Sequence, residues 1–123
     1  MADGLRIREL PDGGKEFVLD HPDLDAVRID DRAGLQFGAT DVVIGVPFTL
    51  ELDGGIHALD PRRPDGLGPL AGLYPGSVRW LWATGDAQLV AVFDGGATVV
   101  VEPDASRPAW SVGDVYCPPG GTG

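Results

Sequence analysis

Two histidines, one cysteine and nineteen carboxylates are the groups with which this 123-residue chain could do chemistry. The densest grouping is Asp20-His21-Pro22-Asp23-Leu24-Asp25. In an extended segment His21, Asp23 and Asp25 alternate onto one side, and hard oxygen donors suit Ca²⁺, Mg²⁺ or Mn²⁺. The segment lacks the glycine and closing glutamate of a calcium loop. A solvated acidic turn broken by Pro22 accounts for it more simply, so these three are weak metal candidates and no metal is assigned. His57 and Asp60 form a weaker pair still, since a lone histidine near a strand end is usually structural.

Nucleophilic catalysis needs a nucleophile, a base and an orienting group within hydrogen-bond reach. Only His21 and His57 offer an imidazole base. Ser77, Ser106 and Ser111 sit in no nucleophile elbow, because Pro75-Gly76-Ser77-Val78 does not match G-x-S-x-G. Cys117, between Tyr116 and Pro118, has no basic neighbour in sequence to stabilise a thiolate and reads as a small packed hydrophobe. Gly66-Leu67-Gly68-Pro69-Leu70-Ala71 spells the G-x-G-x-x-A dinucleotide fingerprint, yet Arg62-Arg63-Pro64 precedes it where a strand is required. Close carboxylate pairs are inevitable among nineteen acids and carry no specificity. No catalytic residue is assigned, and no cofactor is expected.

The elements that must position these groups read as strands. Val46, Phe48, Leu50 and Leu52 alternate with Pro47, Thr49 and Glu51 and close on Asp53-Gly54-Gly55, a tight-turn signal. Gln88 to Phe93 and Thr98 to Glu102 flank a second such turn, Asp94-Gly95-Gly96. Shared turn physics accounts for the echo between the two hairpins. Val78, Trp80 and Trp82 fall on one face opposite Ser77, Arg79 and Leu81. That spacing predicts tryptophans in the core, with one at a partner-binding patch as the sharper reading. Leu5 to Arg8 and Glu16 to Leu19 flank the turn residues Pro11-Asp12-Gly13-Gly14.

Between the hairpins, Leu67, Leu70 and Leu73 suggest a helix opening at Pro64-Asp65. Gly66, Gly68 and Gly72, each costing about 1 kcal/mol in a helix interior, limit it to one or two turns. Beyond Pro103 the chain reads as irregular. The expected fold is mainly β: a small antiparallel sheet, sandwich or partly open barrel with one short helix. Three segments are expected: an acidic N-terminal arm or hairpin packed on the body over 1–26, a β-rich domain over 27–117, and a flexible tail over 118–123.

The net charge of −10 is the strongest compositional signal. It opposes binding to nucleic-acid phosphates or anionic membranes and leaves water, cations or a basic protein surface. Nine of the nineteen carboxylates fall within the first 31 residues, so the acidity is concentrated there. A hydrophobic fraction of 43% describes an ordinary globular chain. No apolar run approaches the ~18 residues of a spanning helix. Met1-Ala2-Asp3-Gly4 lacks the features of a secretory signal, and a single cysteine permits no intrachain disulfide. A cytoplasmic location is the expectation.

A further set of residues carries a resemblance: an apolar strand with Arg32, then Val46-Pro47-Phe48-Thr49-Leu50, Asp60-Pro61 and the leucines around Leu70 and Leu73. Phe93-Asp94-Gly95-Gly96, Glu102-Pro103-Asp104, Ala109-Trp110 and Pro119-Gly120-Gly121 complete it. From about Val27 to Gly121 the chain resembles a small bacterial domain family, common in actinobacteria, of unknown function. Members usually place an acid just before the Ala-Trp pair, where this chain has Pro108. The resemblance implies a β-rich fold and supplies no catalytic residues.

The function expected is that of a small acidic cytoplasmic protein-binding module, docking on a basic protein in the manner of an immunity or inhibitor protein. Asp20, Asp23, Asp25, Asp30 and Asp31 are its expected partner-binding residues, with dimerisation left open. The alternative is a small β-rich enzyme using Asp, His or Arg residues in a cavity on a small-molecule substrate.

Overall fold

A computed structural model describes residues 5–29, 32–52, 54–74 and 76–117. Asp30, Asp31, Asp53 and the expected tail over 118–123 lie outside the described residues. The first two strands are β1 (Leu5–Glu9) and β2 (Lys15–Leu19), joined at the Pro11-Asp12-Gly13-Gly14 turn. Next come β3 (Ala26–Ile29), β4 (Ala33–Phe37), β5 (Thr40–Ile44), β6 (Phe48–Leu52) and β7 (Gly55–Leu59). After a 3-10 helix over Pro64–Leu73 follow β8 (Val78–Ala83), β9 (Leu89–Phe93), β10 (Thr98–Val101), β11 (Trp110–Val112) and β12 (Val115–Tyr116).

The strands form two antiparallel sheets, ordered β1-β2-β8-β9-β10-β6-β7 and β12-β11-β5-β4-β3. Neither sheet closes into a barrel; the fold is mainly β with one short helix. Alternate residues of both sheets enter one apolar cluster, including Leu35, Phe37 and Ile44 from one sheet and Leu50, Leu89 and Val99 from the other. Two aromatic pairs cross between the layers. Phe17 on β2 meets Trp110 on β11 edge-on at 6.1 Å, and Phe37 on β4 meets Phe93 on β9 at 6.3 Å. Such pairs add about 0.5–1.5 kcal/mol each beyond their area burial.

Three local expectations are corrected. The helix runs for ten residues in 3-10 geometry, longer than one or two α-turns. Pro69 and the glycines work against an α-ladder, whereas a period of three residues stacks Leu70 over Leu73, and both are buried. Beyond Pro103 the chain is not irregular, because β11 pairs with β5 and β12 with β11. Strands of three and two residues are too short to show a period. Finally, the register shifts between Val78 and Trp80. That bulge flips the pattern, so Val78, Leu81 and Ala83 enter the core while Trp80 and Trp82 face outward.

The turns at one end interlock. The Asp12 carboxylate accepts hydrogen bonds from Gly14 N at 2.8 Å and Gly85 N at 3.2 Å, tying the β1–β2 turn to the β8–β9 turn. The approach is close enough that a Cβ on Gly14 would lie 2.2 Å from the Ala83 carbonyl oxygen.

Candidate protein-docking face

Trp80 and Ile56 stand outside the core on the outer face of the seven-stranded sheet, while Ile29 and Tyr116 are exposed on the other sheet. On β9, Leu89, Ala91 and Phe93 point inward, which leaves Val90 and Val92 on the outside. Trp82, Val90, Val100 and Thr49 are register partners across β8, β9, β10 and β6. The neighbouring row runs Trp80, Val92, Thr98, Glu51 and Ile56. Val90 is only 8% exposed although it belongs to no part of the core cluster, so its neighbours on this outer face cover it. Trp80 is 52% exposed and Ile56 73% exposed.

Charge rims this surface. Arg8 bonds Glu16 at the β1–β2 edge, and Gln88 donates to Glu102 beyond Val100. The Arg79 guanidinium lies over the Trp80 ring. A groove of about 260 Å³ opens between β2 and β8, walled by Val18, Pro22, Arg79 and Trp80.

The acidic stretch crosses from one sheet to the other at the Trp80 end. Leu24 is its buried anchor, and its backbone bonds Gly76 O and Gln36 O through Leu24 N and Asp25 N, both at 2.8 Å. Asp20 pairs with Arg6 at 3.6 Å, Asp23 accepts from the Ser77 hydroxyl, and Asp25 accepts from Gly38 N at 2.8 Å. All three side chains stay at the surface. The strap is thus a fixed row of carboxylates.

The metal candidates do not converge. His21 Nε2 lies 3.4 Å from Asp25, while Asp23 engages Ser77 instead. Among the described residues no three His, Cys, Asp or Glu side chains form a metal-binding group. His57 sits on β7, opposite Leu50, and does not line the groove between β2 and β8. Burial pushes the Cys117 thiol up, which disfavours a reactive thiolate. Asp12, Asp60 and Asp104 are held low chiefly by backbone hydrogen bonds from Gly14, Arg62 and Ser106 respectively, a turn-capping role. No described helix is long and apolar enough to cross a membrane.

Sequence reasoning named the tryptophans and the acids but missed the valine rows. A signal was present: Leu89-Val90-Ala91-Val92-Phe93 is apolar at every position. In an antiparallel sheet such a run marks a strand covered on both faces.

No curated protein and no solved structure is detectably similar to the chain. A family of unknown function, DUF6188, matches residues 17–122, from within β2 through β12, leaving only β1 of the described strands outside the match. The chain belongs to that family.

Proposed function

We propose that this is a small acidic bacterial protein-binding module of the cytoplasm, docking on a protein whose own surface pairs an apolar patch with basic groups. The carrying observation is the outward valine and tryptophan face, anchored by Trp80 and bordered by the carboxylate strap. Trp is enriched among interface hot spots, and exposed contiguous apolar patches mark contact sites. Asp20, Asp23 and Asp25 supply the charged border; Asp30 and Asp31, the other acids expected to meet the partner, lie outside the described residues. Because the strap is pinned at both ends, little ordering entropy is lost when it meets a partner. The net charge of −10 favours a basic partner and faster encounter with it. The bias of eight arginines to one lysine fits a G+C-rich bacterial genome.

Capture from native-host lysate across a salt series tests this reading. The expected result is a basic protein whose retention falls as salt rises. A partner that is acidic, or one retained equally at all salt concentrations, would contradict it.

A further inference from the structure

The seven-stranded sheet ends on β1 at one side and β7 at the other, and the five-stranded sheet on β12 and β3. An edge strand carries a row of unpaired N–H and C=O groups, which chains usually blunt with charge, proline, a bulge or brevity. Three of these edges follow that rule. Arg6, Arg8 and Glu9 make up most of β1, Arg28 stands in β3, and β12 spans only Val115 and Tyr116. β7 does not follow it. Its residues, Gly55-Ile56-His57-Ala58-Leu59, include no Asp, Glu, Lys, Arg or Pro, and they pair with β6 without a bulge. Among the described residues no backbone hydrogen bond reaches β7 from outside its sheet, not even from the 3-10 helix that touches it.

The two faces of this edge differ, and so do its two ends. Ile56 and Ala58 are exposed on the outer face, Ile56 at 73%, while Leu59 is buried on the inner one. Beside Ile56 stands its register partner Glu51, exposed on β6. Past Leu59 the chain turns through Asp60-Pro61-Arg62-Arg63, closed by Arg63 N donating to Asp60 O at 2.9 Å. Arg62 holds the Asp60 carboxylate, so the exposed Arg63 leaves this end net positive.

A second copy of the chain fits this edge in one way. Antiparallel pairing about a two-fold axis at His57 sets Ile56 of each copy opposite Ala58 of the other. It also brings the arginine end of each strand beside the Glu51 end of the other, matching charge at both ends. Parallel pairing would set like ends together. Two-fold dimers are the commonest closed assemblies, and their contact surfaces are self-complementary in this sense.

We infer that the chain forms a two-fold dimer through β7, its seven-stranded sheet running on into that of the second copy. The outer faces of both copies then lie on the same side. β9, β10 and β6 separate β7 from the Trp80 strand, so the dimer stands independently of the docking reading.

Sedimentation equilibrium of the full chain at concentrations up to about 1 mM tests this, a range that captures weak association. The mass is expected to double from 12.9 kDa as concentration rises, and amide exchange to slow at β7 but not at β1. Ile56→Lys with Ala58→Lys sets lysines opposite one another twice and should weaken dimerisation at least about tenfold. Glutamate at both positions should do the same, and a mixture of the lysine and glutamate chains should pair again. Both positions are exposed, so these substitutions leave the fold in place. Trp80→Ala should dimerise like the parent. The inference is overturned if the parent stays monomeric, if β7 exchange ignores concentration, or if the lysine chain dimerises as tightly. Failure of the mixture to pair, or loss of the dimer in Trp80→Ala, overturns it too.

Discussion

Arg79 stacks on Trp80, its guanidinium carbon 5.2 Å from the ring centroid. The contact contributes about 0.5–1 kcal/mol at an exposed site, enough to bias the indole toward lying along the sheet. Together with the bulge that turns Trp80 outward, it holds a large ring at the surface in a defined pose.

Trp80→Ala should therefore separate binding from folding. Loss of a hot-spot tryptophan costs about 2 kcal/mol or more of affinity. A half-exposed site outside the core should change stability by no more than about 1 kcal/mol. Trp110→Ala, by contrast, empties a buried site and should cost about 3–5 kcal/mol of stability. Urea denaturation of both variants checks the contrast.

The two interlocked turns give a prediction with a pH signature. The folded Asp12 carboxyl lies below its ordinary value of 3.8, mainly because Gly14 and then Gly85 donate to it. Its contribution is therefore fully present above 3.8 and is lost as pH falls through the lower folded value. Asp12→Asn should narrow the stability difference between neutral and acidic pH in urea titrations. Gly14→Ala should destabilise by about 1–3 kcal/mol at any pH, since its Cβ would meet backbone rather than a movable side chain.

Much of this architecture was legible, for reasons that differ by element. The β9–β10 hairpin announces itself because Asp94-Gly95-Gly96 joins two unbroken apolar runs. The outward turn of Trp80 was not legible, because a bulge leaves no mark in a period-two pattern. The strap's acids are plain in the sequence, but their partners are not: Asp23 meets Ser77 54 residues away. No local spacing rule reaches that far.

Cys117 should behave as a packed residue. Its side chain is buried, its thiol is raised above the ordinary 9.0 by desolvation, and it lies 3.9 Å from the Ala87 carbonyl oxygen. Its contribution to stability is present below 9.0 and lost as pH rises through the folded value. A disulfide reagent at neutral pH should label the native chain far more slowly than the urea-unfolded chain. Equal rates would show that the thiol is open.

Ala87 has a positive φ of 64°, and its carbonyl also accepts from Trp110 Nε1 at 2.9 Å. Trp110→Phe removes that donor while keeping an aromatic ring. The expected cost is about 0.5–1.5 kcal/mol, the net worth of one hydrogen bond, because the half-buried carbonyl keeps the Cys117 thiol as a second donor. Thermal unfolding of the variant measures it.

The docking face itself is tested most directly by comparing partner retention by the parent chain and by Trp80→Ala, both folded, at low and at high salt. The account predicts that the parent holds a basic partner and releases it progressively as salt rises. It also predicts that Trp80→Ala fails to hold that partner even at low salt. Equal retention by both chains would contradict the assignment of this sheet face as the contact surface.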